Sequence, residues 1–271
     1  MREQVILVTG ASSGMGLACA THLAQRGHRV YGTARQPGTA SDQQGFQLLR
    51  MDVTDEASIA SAVAQVMAES GRIDVLVNNA GSGISGAIEE TTIEEAQALF
   101  DVNFFGVLRT CRAVLPIMRR QGAGRIINIG SLGGRIAVPF QGIYTATKFA
   151  LEGLTETLRA EVRPCGITVS IIEPGDFHTG FTANRRMVRA CGDDSSYWPA
   201  FQKVMRVVES DETNGSDPML VARLVERIIQ APRPRLRYTV GMMFQRVAGF
   251  LKAVLPASVS EWAIMKYYRL H

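Results

Sequence analysis

Tyr144 and Lys148 stand four residues apart in Tyr144-Thr145-Ala146-Thr147-Lys148, within a stretch whose pattern predicts a helix over 142–163. At i and i+4 both side chains share one helix face. An isolated phenol has a pKa of about 10 and is a poor base at neutral pH. A nearby ammonium favours the phenolate, so the spacing predicts a lowered phenol pKa and an acid–base group worth about 10²–10⁴ in rate. The same spacing arises by chance in many helices. Ser131 lies thirteen residues earlier, just after the strand-like run 125–130. Its hydroxyl is able to hydrogen-bond a substrate oxygen and stabilise developing alkoxide charge. Serine at a strand end is also an ordinary turn residue.

A second group of residues suits phosphate. The strand-like run 4–9 passes into Thr9-Gly10-Ala11-Ser12-Ser13-Gly14-Met15-Gly16, followed by a helical pattern over 14–26. Glycines permit the tight turn and the close backbone approach that a pyrophosphate at a helix N-terminus requires. Gly10, Ser12, Ser13, Gly14, Met15 and Gly16 are therefore candidate cofactor residues, although a glycine-rich strand–helix turn is sometimes purely structural. The second strand ends in Tyr31-Gly32-Thr33-Ala34-Arg35, without the Asp or Glu that holds a 2′-hydroxyl in NAD sites. Arg35 is placed to meet a 2′-phosphate instead, which favours NADP (NADPH). Asp42 follows Pro37-Gly38 and is able to return toward the ribose, which leaves NAD open.

The elements that must position these residues alternate. Strand patterns at 4–9, 28–33, 46–51, 73–78, 125–130, 168–173 and 235–240 are short, β-branched and largely apolar throughout, as strands covered on both faces are. Helical patterns lie at 14–26, 55–70, 92–121, 142–163 and 217–230. The alternation predicts an α/β fold, a doubly wound Rossmann-type parallel sheet of about seven strands with helices on both faces. One domain over 1–271 is the simplest account. Residues 176–216, rich in Gly, Asn, Asp and Ser and with a short helical pattern near 199–208, read as a substrate-covering segment. The tail 241–271 carries Met243, Phe244, Val247, Phe250, Leu251 and Val254 at the spacing of one apolar helix face.

Composition narrows the class. With 46% hydrophobic and 20% charged residues the chain is globular rather than disordered. No apolar run approaches the roughly 18 residues of a membrane span, and the N-terminus enters a strand directly, which fits no signal peptide. The net charge of +4 comes without a block of like charges, so no nucleic-acid tail is expected. Cys19, Cys111, Cys165 and Cys191 are widely separated and read as reduced thiols of a cytoplasmic protein. The histidines His22, His28, His178 and His271 form no metal constellation, and no metal is expected.

Together with the glycine loop, Asn78-Asn79-Ala80-Gly81, Asn103, Ser131 and the Tyr144/Lys148 pair resemble the short-chain dehydrogenase/reductase family in its compact form, strongly over about residues 4–180. The resemblance implies the catalytic set Asn103, Ser131, Tyr144 and Lys148. It has Asn103 bend the long helix and hold a water that relays protons from Lys148. It places Asp52 and Val53 at the adenine, the backbone of Asn79, Ala80 and Gly81 over the adenine ribose, and Pro174, Gly175 and Thr179 over the nicotinamide carboxamide. It has Asn78 hold the central sheet. Asp52 also reads as part of a helix cap, with Thr54 the stronger cap candidate. Two departures are Gly130, where many relatives carry a second Ser, and Thr147, where Ser is usual.

The family's chemistry interconverts carbonyl and alcohol, with NADPH favouring reduction. Leu132, Val138, Phe140, Phe177, Phe181, Tyr197, Trp198 and Phe201 are candidate pocket walls and suit an apolar ketone or aldehyde; several also suit a core. The tail is similar to those of hydroxysteroid and retinol dehydrogenase-like members, which suggests a steroid, retinoid or other lipid-like substrate. Its amphipathic stripe fits the core, a partner subunit or a membrane surface. The resemblance implies a homodimer or homotetramer through the helices at 92–121 and 142–163. The other function class is a dinucleotide-sensing interaction protein with little catalysis, against which the intact four-residue set argues.

Overall fold

The computed structural model describes residues 3–37 and 45–270. Asp42 and His271 lie outside the described residues. The chain runs β1 (Val5–Val8), α1 (Gly14–Gln25), β2 (Arg29–Ala34), β3 (Gln47–Arg50), α2 (Glu56–Ser70), β4 (Val75–Asn78), β5 (Ile84–Ser85) and α3 (Ile93–Phe100). It continues with α4 (Gly106–Gln121), β6 (Gly124–Ile129), α5 (Gly142–Val162), β7 (Ile167–Pro174), α6 (Phe181–Asn184) and β8 (Arg186–Met187). Last come α7 (Trp198–Thr213), α8 (Met219–Gln230), β9 (Arg237–Val240), α9 (Met243–Val254) and α10 (Ala257–Tyr267).

Seven strands form one parallel sheet in the order β3-β2-β1-β4-β6-β7-β9. Period-two alternation splits each central strand between two cores. Val5 and Leu7 of β1 face α2, α4 and α5 together with Leu76, Ile126, Val169 and Ile171. Ile6 and Val8 face α1 and α8 together with Val75, Val77, Ile127 and Ile172. This two-sided burial explains why the strands are apolar throughout. The order reverses between β1 and β4, and in such sheets ligands bind outside the carboxyl ends of the strands at that reversal.

One polar network crosses the buried interior. Asn78, at the end of β4, donates from Nδ2 to Asn128 Oδ1 of β6 (2.9 Å), and Thr110 Oγ1 of α4 donates to Asn78 Oδ1 (2.7 Å). Asn128 in turn donates to Thr155 Oγ1 of α5 at 2.9 Å. Asn78 thus ties β4 to β6, holding the central sheet as the resemblance implied, and to α4, while Asn128 carries the link to α5.

The strand and helix patterns are all present. Some details differ. The long helix 92–121 is interrupted by a π-helical turn, Asp101–Phe105, that contains Asn103. The short helix near 199–208 is longer and spans Trp198–Thr213. Asp55, not Thr54, caps α2, its carboxylate accepting from Ala57 N, because the chain turns helical one residue later than the Thr54 reading assumed. The two-stranded sheet of β5 with β8 had no sequence signal; its strands are two residues long. Segment 176–216 has its ends stitched together, Ser216 N donating to Asp176 O (2.9 Å) and His178 N to Ser216 O (3.1 Å). Among the described residues no helix is long and apolar enough to cross a membrane.

Replacing Asn78 with Ala should cost about 1–3 kcal/mol, because it strands the buried side-chain carbonyl of Asn128, while the Thr110 hydroxyl keeps the Gly106 and Val107 carbonyls. A urea midpoint lowered at unchanged slope would show it; an unmoved midpoint would deny the network a structural role.

Candidate active site

The reversal point carries a cradle built from backbone. Thr9 Oγ1 accepts from the amides of Asn79 and Ala80, both at 2.9 Å, which pins the turn after β4 against the turn after β1. Asn79 Nδ2 donates to the carbonyls of Thr9 and Gly10 at 3.0 Å each. Gly10 and Gly14 adopt φ of +65° and +55°, conformations that favour glycine. A Cβ at Gly10 would sit 2.9 Å from Ala80 Cα, and one at Gly16 would run into the Gly10 carbonyl and Asn79 Nδ2. Ser13, extended at the N-cap of α1, makes no side-chain cap bond, and the first turn holds no acid. The N-terminal amides are therefore left for an anion. Ser12 and Ser13 are exposed on the rim, and Met15 and Gly16 open the helix. These features fit a dinucleotide pyrophosphate.

The loop reaches β2 through Ala11 N donating to Thr33 O at 2.8 Å, and Arg35 emerges exposed two residues further on. Asp52 lies on the same rim. Burial alone would raise its pKa, but hydrogen bonds from Thr54 N (2.9 Å) and Thr54 Oγ1 (2.8 Å), with the charges of Arg35 and Arg109, hold it below the usual carboxylate range. The side chain of Val53 belongs to the core, and its carbonyl accepts from Arg109.

Asn103, Ser131, Tyr144 and Lys148 are brought together at the carboxyl end of β6. Ser131 Oγ accepts from Gly133 N at 3.0 Å, leaving its proton free to donate. A Cβ at Gly133 would lie 3.3 Å from Ser131 Oγ and 3.4 Å from Tyr144 Cε1, so the two side chains border one point. Lys148 is buried, donates from Nζ to Ile129 O at 3.0 Å and lies 5.7 Å from the Tyr144 ring centroid. Asn103 spends both side-chain donors, on Ser82 O (3.0 Å) and Thr147 Oγ1 (3.1 Å), and accepts from Ser82 N (2.9 Å). Its side chain clamps the turn beside Gly81 to α5. Thr147, the departure from Ser, supplies the hydroxyl for that clamp and donates to Tyr144 O at 2.7 Å. At Gly130 a Cβ would lie 2.8 Å from Ile171 Cδ1, so a side chain there requires Ile171 to shift.

The lowered phenol pKa expected from spacing is not what the geometry gives. Burial pushes Tyr144 up to about 12, with the Ser131 hydrogen bond acting against it. Lys148 is itself lowered to about 8 by burial, so its ammonium is a weaker counter-charge than the sequence suggested.

Glu152, one turn beyond Lys148, was not anticipated. Its charge raises the lysine against the desolvation. Burial and the neighbouring Glu173 push the Glu152 carboxyl up, while Arg237 (Nε to Glu152 Oε2, 2.8 Å) pulls it down. Glu173, fully buried on β7, accepts from Thr239 Oγ1 at 2.8 Å. Nothing in the linear spacing of 148, 152, 173 and 237 announces this group; the β7–β9 pairing creates it.

Pro174 ends β7, and Gly175 N donates to Val240 O at 2.9 Å. Gln245 of α9 closes over this point, accepting from Asp176 N (3.1 Å) and donating to Asp176 Oδ2. Thr179 crosses the phosphate loop, its Cβ 3.5 Å from where a Gly14 Cβ would be. Phe181 packs on Tyr144, ring centroids 5.8 Å apart. Phe140, Tyr197, Trp198 and Phe201 form one aromatic group, with Phe140–Phe201 at 5.6 Å and Trp198–Phe201 stacked at 5.5 Å. Val138 packs with them, while Leu132 is buried beneath α9. Phe177 is not a wall: it is buried in the core against α8, because the Phe177–Ser216 bridge turns it inward.

A reversal-point dinucleotide cradle beside a Ser–Tyr–Lys group defines a nicotinamide-dependent oxidoreductase of the Rossmann type. The family model for short chain dehydrogenase matches residues 4–189, and the chain belongs to that family. It is 42% identical, over the full length of both chains, to the 3-ketodihydrosphingosine reductase of Bacteroides thetaiotaomicron. It is 35% identical to human 17-beta-hydroxysteroid dehydrogenase type 1, covering 88% of this chain and 77% of that one. The crystal structure of a short-chain dehydrogenase from Streptomyces avermitilis superposes with a TM-score of 0.84 at 36% identity, covering 97% of each chain.

Gly16→Ala should weaken dinucleotide binding about tenfold or more while the chain stays folded; quenching titrations with NADPH check it. Glu152→Gln removes the charge that raises Lys148, so the limb of the rate–pH profile that reports the lysine should move to lower pH. An unmoved limb would uncouple Glu152 from the lysine.

Proposed function

We propose that the protein is an NADPH-dependent reductase of an apolar ketone or aldehyde, with Asn103, Ser131, Tyr144 and Lys148 as its active-site set. The observation that carries the reading is that Ser131 and Tyr144 border one point, with buried Lys148 Nζ over the Tyr144 ring at 5.7 Å from its centroid. When bound, the dinucleotide supplies the hydride. Gly10 to Gly16 would hold its pyrophosphate, Arg35 a 2′-phosphate, Asp52 and the Val53 backbone its adenine, and Asn79 to Gly81 its ribose. Pro174, Gly175 and Thr179 would cover the carboxamide.

Ser131 donates to the substrate carbonyl oxygen and stabilises the negative charge that grows there. Tyr144, which keeps its proton at neutral pH, donates it to that oxygen. Lys148 then faces the phenolate and holds its charge, and the π-helical turn at Asn103 serves the route by which a proton returns. The protonated phenol is the form that reduction uses. The aromatic group of Phe140, Tyr197, Trp198 and Phe201 supports an apolar substrate. So do the ketone and steroid in the names of the two relatives. A homo-oligomer formed through α4 and α5 would cover Phe105 and Phe149, both exposed. The cytoplasm fits the reduced thiols.

Consumption of NADPH should exceed that of NADH across carbonyls from small aldehydes to 3-keto sphingoid bases and steroids, with the large apolar ones fastest. Arg35→Asp should reverse the cofactor preference; an unchanged preference sinks the assignment to NADP. Tyr144→Phe should lower turnover by about 10²–10⁴ and leave NADPH binding intact, and undiminished turnover would overturn the mechanism.

A further inference from the structure

The two C-terminal helices are inside out. The positions of α9 turned to the body are Gln245, which grips Asp176, Gly249, which lies against Leu132, and the half-buried Lys252. The large apolar residues point the other way: Met243 is 69% and Phe250 66% exposed, with Phe244, Val247 and Val254 exposed beside them. The stripe that the spacing revealed is therefore not core. On α10, Ser260 is buried while Trp262 is 60% exposed, flanked by exposed Val259 and Met265. Both helices are nonetheless fixed to the fold. Tyr267 donates to Asp211 Oδ2 at 2.6 Å, and Tyr268 and Leu270 pack on the α7 cluster around Phe201.

An apolar face of this extent requires a cover, and the charge around it selects one. With Lys252 turned to the body, the exposed charges of residues 241–270 are Arg246, Lys266 and Arg269 against the single acid Glu261. Lys266 lies over the exposed Trp262 ring, 5.0 Å from its centroid, so a cation and an interfacial aromatic share one spot. A symmetric second copy would bring this basic surplus against itself. An anionic lipid surface would neutralise it and take up the apolar side chains. No described helix is long and apolar enough to cross a bilayer, so the pair would lie along the surface.

We propose that α9 and α10 form a peripheral docking face for an anionic lipid bilayer. The face lies on the roof of the active site, since Gln245 and Gly249 of α9 are the residues closing over Gly175 and Leu132. Docking would therefore shorten the route of an apolar carbonyl from the bilayer to the active site. That route rests on the substrate class proposed above; the docking itself does not.

Flotation of the full chain, without substrate, tests it. Binding is expected to vesicles of equal parts phosphatidylglycerol and phosphatidylcholine. It should weaken by about tenfold or more on phosphatidylcholine alone, and fall in about 1 M salt, where the screening length is about 3 Å. The double variant Phe250→Ser with Trp262→Ser should lose binding yet keep NADPH affinity, which serves as the folding control. Equal, salt-insensitive binding to both vesicles overturns the choice of an anionic surface. No binding to either overturns the proposal. So does a concentration-dependent dimer that the double variant dissolves, since a second copy then covers the face. Intact vesicle binding without turnover of any carbonyl would count against the proposed reductase and not against docking; turnover without vesicle binding would do the reverse.

Discussion

A lysine ammonium held out of water is the constraint around which the rest of this structure is arranged. Lys148 is buried, and an isolated charge there would be prohibitively costly or would simply lose its proton. Three surroundings keep it serviceable: the Ile129 carbonyl that accepts from Nζ, the Tyr144 ring alongside, and Glu152 one turn away. Each depends on a different piece of the fold. Ile129 is offered because β6 ends there. Tyr144 shares the helix face. Glu152 is itself supported by Arg237, which only β9 supplies.

The same logic governs the polar groups farther in. A parallel sheet covered on both faces has no solvent to satisfy an asparagine, so Asn78 and Asn128 satisfy each other and pass the remainder to Thr110 and Thr155. Asn103 does likewise at the edge of the site, spending its amide on Ser82 and Thr147. These bonds fix where α4 and α5 sit on the sheet, and hence how far Tyr144 stands from the glycine loop. Catalytic geometry and core satisfaction are in this respect one problem.

Around that rigid centre the substrate side is assembled from segments of another character. Segment 176–216 leaves the sheet and returns to the same place, with an aromatic group between. Phe140 belongs to that group and adopts φ of +60°, a backbone conformation that strains a residue with a Cβ. The strain is held by the Gly86–Phe140 backbone hydrogen bond at 2.8 Å and by packing on Phe201. The C-terminal helices close this side with polar groups inward and apolar groups outward, the reverse of the sheet-covering helices.

The linear chain alone determined the parallel α/β sheet, the cradle at Gly10 to Gly16 and the Ser131, Tyr144 and Lys148 set. The sheet and cradle are encoded locally, in apolar runs of strand length and glycines at fixed offsets, whereas the set was read from a spacing of four on one helix together with the resemblance to the family. The place of Arg35 immediately past the end of β2 was legible for the same local reason. The outward face of α9 was not, because a 3.6-residue period shows that a helix has an apolar side without showing which way that side is turned. Nor was the inward turn of Phe177, which a bridge to a residue thirty-nine positions away imposes. The direction of the Tyr144 shift was decided by tertiary structure too. Sequence spacing registers the attraction of a neighbouring ammonium, whereas desolvation depends on everything packed around the phenol, and here desolvation is the larger effect.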